Sequence, residues 1–164
     1  MAHFPPGRGG GEDVTKGYKG KGLLIHLMVG GQGKPLLFRL TGANGDEREQ
    51  AINLLRECKN KLKKKPKLLQ ADRGYDSQKV RGFAEYICAM YTDIPHREWD
   101  KERRGEYRKP KESSTNDRWK VERTFAWIYK KFRRLACRWE RRSVYFKGFV
   151  YAAICLFWLE IIIG

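Results

Sequence analysis

The side chains best suited to chemistry are two carboxylates in unlike surroundings. The segment ADRGYDS at 71–77 places Asp72 after a short apolar run and before a glycine turn. A carboxylate at the carboxyl end of a buried strand projects into the crevice above an α/β sheet, where ligands bind in such folds. The alternative is that Asp72 only caps the turn or pairs with Arg73. In DRWKVERTFAW at 117–127, Arg118 and Glu122 stand four apart and share a helix face. Val121, Phe125, Ile128 and Phe132 form a neighbouring apolar stripe, so Glu122 borders the face that packs. The alternative there is an ordinary surface Arg–Glu pair. Two such carboxylates suit Mg2+, which prefers oxygen ligands and keeps positions open for phosphate. Paired ions of this kind activate an attacking oxygen and stabilise a leaving one in phosphoryl displacement.

The charge balance points the same way. The 164 residues carry 35 Lys plus Arg against 19 Asp plus Glu, a formal net charge of +16. A field of this sign favours a polyanion, nucleic acid ahead of a ribosome or an anionic membrane. Residues 97–142 hold 17 basic and 8 acidic side chains, which reads as a DNA-backbone groove rather than a balanced solvated face. Among the tryptophans, Trp127 and Trp158 read as core, whereas Trp119 and Trp139 are candidates for base or sugar contacts. His26 alternates into an apolar strand and reads as a packed residue. Cys58, Cys88, Cys137 and Cys155 are widely spaced, without C-x-x-C, and read as free thiols in a reducing cytoplasm rather than zinc ligands. The glycines at 9–11 neither follow a strand nor open a helix, so they are no nucleotide-binding fingerprint. The first residues lack an apolar stretch of signal-peptide type. Residues 149–163 are nearly all apolar, but the run is short and interrupted by Glu160, so a helix in a core or partner interface is expected rather than a membrane span.

Elements that position the two carboxylates follow from patterning. Residues 1–22 are Gly- and Lys-rich and predict a leading loop, ahead of a domain over 23–164. Residues 23–29 and 35–41 predict a hairpin across a Gly-rich turn. Asp46, with Glu49 three residues on, predicts a capped helix through Ala51, Leu54, Leu55 and Cys58. A basic connection broken by Pro66 leads to a strand at 68–71. A helix capped by Asp76 or Ser77 then precedes a strand at 89–94 that Pro95 stops. A charged loop is expected at 96–116, then a long helix over 117–137 and a last one over 144–163. Strands alternating with helices predict a mixed α/β sheet flanked by helices.

The motifs resemble those of a known family. ADRGYDS is similar to the segment around the second catalytic aspartate of insertion-sequence DDE transposases. DRWKVERTFAWIYKKFRRLACRWERR, 117–142, resembles the segment around the catalytic glutamate of the insertion-sequence 5 family, and GYKGKGLLIHLMVGGQGKPLLFRLTGANGDEREQ, 17–50, its hairpin and first helix. The resemblance implies an RNase H-like catalytic core in which Asp72 and Glu122 are catalytic and bind Mg2+ or Mn2+. It implies DNA contacts by Arg118, Lys120, Arg123, Lys130, Lys131, Arg133 and Arg134. Its implied partners are transposon ends and target DNA, with a homodimer in a full-length enzyme, no membrane, and a cytoplasmic, nucleoid-associated location. Two departures stand out: Thr115 occupies the tyrosine place of the family's Y-x-x-R-x-x-x-E signature, and Tyr129 the lysine place seven after Glu122. By the same alignment the first catalytic aspartate falls at or before Met1, so the core is expected to lack its first central strand. The implied activity is Mg-dependent strand cleavage and transfer at insertion-sequence ends. The alternatives are a catalytically dead DNA-binding remnant, or the second frame of a frameshifted transposase completed by an upstream-frame product.

Overall fold

The computed structural model describes residues 1–96, 117 and 119–164. They form two compact units, each mixed α/β; one contains Met1 and 46–119, the other 2–45 and 120–164.

In the second unit, the long strand β3 (Gly20–Val29) is the centre of an antiparallel sheet. It pairs with β4 (Pro35–Gly42) in the register Leu23↔Gly42 to Met28↔Leu37. The turn between them closes with Gly33 N–H on the Gly30 carbonyl and Gly30 N–H on the Lys34 carbonyl, both 2.8 Å. Gly33 takes φ +80°, a left-handed conformation that favours glycine. The hairpin agrees with the expectation. The leading stretch does not remain a loop: β1 (Ala2–His3) and β2 (Thr15–Gly17) both pair antiparallel with β3. The correction has a plain cause, since β3 begins at Gly20 and exposes backbone donors and acceptors that these segments satisfy.

Period-two alternation sends Leu23, Ile25 and Leu27 to one face of β3, where they form a core with Phe125, Ile128, Leu135, Phe146, Val150 and Ala153. Those residues come from α3 (Trp119–Lys131), α4 (Arg133–Ala136) and α5 (Ser143–Ile163). The single long helix expected over 117–137 is therefore broken. Phe132 leaves helical geometry at φ −118°, ψ 80°, and its ring turns toward the core beside Trp127. Among the described residues α5 alone is long and apolar enough to cross a membrane. It buries Phe146, Val150 and Ala153 in the core but leaves much of its length exposed.

The other unit begins with α1 (Glu47–Lys61), capped by Asp46, whose carboxylate accepts from Arg48 N–H at 2.9 Å. Leu54, Leu55 and Cys58 are its buried face. Strand β5 (Leu68–Gln70) runs parallel to β6 (Tyr91–Asp93). The crossover is α2 (Gln78–Gly82), capped by Ser77 and continued by a π-helical turn over Phe83–Ile87.

Candidate active site

Asp72 lies two residues beyond β5. The preceding Ala71 N–H extends the ladder by donating to the Asp93 carbonyl, 3.3 Å. Asp72 then heads a 3-10 turn, Arg73–Tyr75, without its side chain capping that turn. Asp72 is exposed just beyond the strand end.

Two neighbours of this turn escaped the sequence reading. Arg48, on the first turn of α1, donates from Nε to the Gly74 carbonyl at 3.0 Å. Tyr75 is buried, and its phenol is held strongly protonated, first by burial, then by the charge of Glu47, by the hydrogen bond it donates to Glu47, and by Asp72. Glu47 and Arg48 thus clasp the Asp72 turn from α1. Their only sequence signal was their place beside the Asp46 cap. Asp76 is fully committed to structure. Its carboxylate takes Arg81 Nε at 2.8 Å, while the same guanidinium reaches the Ile94 carbonyl at 2.6 Å and Thr92 Oγ1 at 3.4 Å.

Glu122 is exposed on the first turn of α3. That turn is fastened to the hairpin tip by three successive carbonyls. Lys120 Nζ donates to Gly31 O at 2.6 Å, Arg123 Nη2 to Gln32 O at 3.3 Å, and the buried Thr124 hydroxyl to Gly33 O at 2.6 Å. Charge-assisted bonds of this kind fix the helix rotation and with it the direction Glu122 faces. Arg118 lies outside the described residues, as do Thr115 and almost all of the expected basic loop.

The seven basic residues named for DNA contact divide in a way the sequence did not forecast. Lys120 and Arg123 serve the hairpin clamp. Lys131 pairs with Glu160 and Arg134 with Glu140. Lys130 and Arg133 are exposed and make no ion pair among the described residues. Tyr129, in the family's lysine place, faces inward. Its ring centroid lies 4.2 Å from that of His3, burial raises its phenol pKa, and its hydroxyl is buried without a hydrogen-bond partner.

With this geometry established, comparison with known proteins is decisive. Residues 3–158 match the transposase DDE domain family. This chain belongs to the DDE transposase family. A relative in Burkholderia cepacia, described as a transposase for insertion sequence element IS402, is 32% identical over 143 residues. The match covers 80% of this chain and 60% of that relative, so this transposase-family chain spans less than two thirds of the relative's length. No solved structure matches it.

The family generally uses a divalent metal, and Asp72 and Glu122 are oxygen donors of the right class. Among the described residues, however, no three His, Cys, Asp or Glu stand together as a metal site. The described side chains therefore fit only part of a ligand set.

Proposed function

We propose that this chain carries part of the catalytic domain of a DNA transposase of the insertion-sequence 5 type, with an RNase H-like core. In this reading Asp72 and Glu122 hold Mg2+ or Mn2+ for strand cleavage and transfer at insertion-sequence ends. The carrying observation is that both motif carboxylates emerge exposed from positions that the fold fixes. Asp72 leaves a strand of a parallel pair, and Glu122 leaves a helix turn fastened to a hairpin. The family implies the RNase H-like reading, and the two units hold strands of the kinds it uses, antiparallel β1, β3 and β4 in one and the parallel pair β5 and β6 in the other.

Lys130 and Arg133 are the best-placed of the named residues to meet phosphates. Lys120, Arg123, Lys131 and Arg134 act from inside local contacts. The natural setting is cytoplasmic DNA at the nucleoid, bound by a homodimer in a longer enzyme. A second reading is a catalytically dead remnant that binds DNA without cutting it, or the second frame of a frameshifted transposase that an upstream-frame product completes.

The test is nicking of an oligonucleotide bearing the element's terminal repeat, with Mg2+ or Mn2+, by the chain and by Asp72→Asn and Glu122→Gln. Nicking that is metal-dependent and lost in both variants supports the catalytic reading. Nicking that survives both changes overturns the assignment. Salt-sensitive binding with no nicking by any form selects the second reading.

A further inference from the structure

One exposed region lies at the end of the 117–142 motif and outside the proposed metal ligands. After α4 the chain runs extended through Cys137 to Arg142 and lies beside the glycine-rich segment 7–11. Three backbone bonds join them: Arg138 N–H to Pro6 O at 2.9 Å, Gly9 N–H to Arg138 O at 3.2 Å, and Glu12 N–H to Arg141 O at 2.7 Å. The segments touch closely because glycine has no Cβ. A Cβ at Gly9 would stand 2.1 Å from Trp139 O, and one at Gly11 2.1 Å from Arg141 O.

Arg138 is the anchor. Its side chain is wholly buried and donates to the carbonyls of Glu140 at 2.7 Å and Arg141 at 3.2 Å, and to Ser143 Oγ at 3.2 Å. Drawing those carbonyls inward leaves the side chains of Trp139, Arg141 and Arg142 outside. Trp139 is 53% exposed, and its indole has no ring or cation partner among the described residues. Arg8, Arg141 and Arg142 are exposed and form no ion pair among them. The nearby acids are engaged locally: Glu12 accepts from Ser143 N–H at 3.0 Å, Asp13 from the Ser143 hydroxyl, and Glu140 from Arg134 Nε at 2.7 Å. At the start of α5, Tyr145 is also exposed, under the Arg142 guanidinium at 5.7 Å.

We infer that this strap is a single-stranded DNA contact, with Trp139 stacking on an unpaired base and Arg8, Arg141 and Arg142 holding the flanking phosphates. A rigid, unpartnered indole among unpaired arginines is what an unstacked strand requires. A duplex keeps its base faces stacked and offers its backbone and groove edges instead. The inference rests on DNA being the partner, and it places the strand on residues outside the proposed metal ligands.

The experiment uses the whole chain, a short single-stranded oligonucleotide and the matching duplex, with affinity read by fluorescence anisotropy. Trp139→Ala is expected to weaken single-strand binding by about tenfold or more, with a smaller effect on duplex. Trp139→Phe should recover much of the loss. The Arg141→Glu, Arg142→Glu double variant should lower the salt dependence of single-strand binding by a slope of about 1.4, near 0.7 per phosphate contact. Circular dichroism checks that each variant stays folded. If Trp139→Ala binds the single strand as tightly as the parent, the proposal is wrong while DNA as partner stands. Equal losses for both DNA forms without rescue by phenylalanine also overturn it, in favour of a structural role. If the parent binds no DNA of either kind, the reading of the partner falls first and this contact with it.

Discussion

His26 shows how a single buried side chain sets a pH limit. It is 1% exposed, on the face of β3 opposite Leu23, Ile25 and Leu27. Its Nε2 is hydrogen-bonded with Thr41 Oγ1 at 2.8 Å. Nδ1 is buried with no partner, and burial lowers the imidazole pKa to about 4. The unfolded chain takes up this proton near pH 6.5 and the folded chain near 4. His26 thus adds stability that is complete above about 6.5 and is lost as pH falls toward 4. Thermal denaturation across that window should show a falling midpoint, and His26→Gln, which keeps a hydrogen-bonding group but cannot titrate, should flatten that part of the profile. An unchanged slope in the variant would assign the loss to other groups. The Asp76–Arg81 pair carries a larger single-residue effect. Arg81→Met strands a buried carboxylate and should cost about 3–5 kcal/mol in urea unfolding. The alternation that buried His26 was readable from LLIHLMV, as was the strand end that presents Asp72. Arg81 was not, because its partners Asp76, Thr92 and Ile94 are joined only by the turn of the chain around α2.

At the scale of elements, the hairpin tip and the first turn of α3 form one device. Their contacts span about ninety residues of sequence: Thr124 to Gly33 is a separation of 91. No local pattern announces such a contact, although the Gly-rich turn and the apolar stripe of α3 were each legible alone. Boundaries followed the same logic. The Asp46 cap was readable, and the cap of α2 to within Asp76 or Ser77, because capping is local, whereas the break at Phe132 and strands β1 and β2 depend on what packs or pairs with them. Two substitutions test the device. Thr124→Val keeps the shape and deletes the hydroxyl, leaving the Gly33 carbonyl without that donor; a loss of about 1–2 kcal/mol is expected. Gly33→Ala forces a Cβ into a left-handed backbone, 3.1 Å from Arg123 Nη2, and should cost about 1 kcal/mol or more. Thr124→Ser should restore most of what valine removes. If valine matches the parent in chemical denaturation, the clamp contributes nothing to stability, and its role in orienting Glu122 loses its support.

For the molecule as a whole, the unresolved tension is between a net charge of +16, which keeps copies apart, and an apolar α5. The core takes one side of this helix, through Phe146, Val150 and Ala153. Beside that side, Tyr145, Phe149, Ala152, Leu156, Leu159 and Ile163 are all exposed. Their spacing alternates four and three, the seam that two helices share when they pack side by side. Lys131, paired with Glu160, places an ion pair on α5 beside this stripe, which also suits an aqueous partner helix better than a bilayer interior. Helix pairing between copies is therefore the expected outcome when the chain is studied alone, and it should strengthen with salt as repulsion is screened. Sedimentation velocity over a concentration series at low and high salt measures this directly. The double variant Leu156→Glu, Leu159→Glu should shift the distribution to monomer without lowering the thermal midpoint, because both side chains are already exposed, at 44% and 47%. A parent chain that remains monomeric at high salt would show that the seam does not pair with itself. A variant that loses its fold along with its self-association would show instead that the stripe supports the chain's own core.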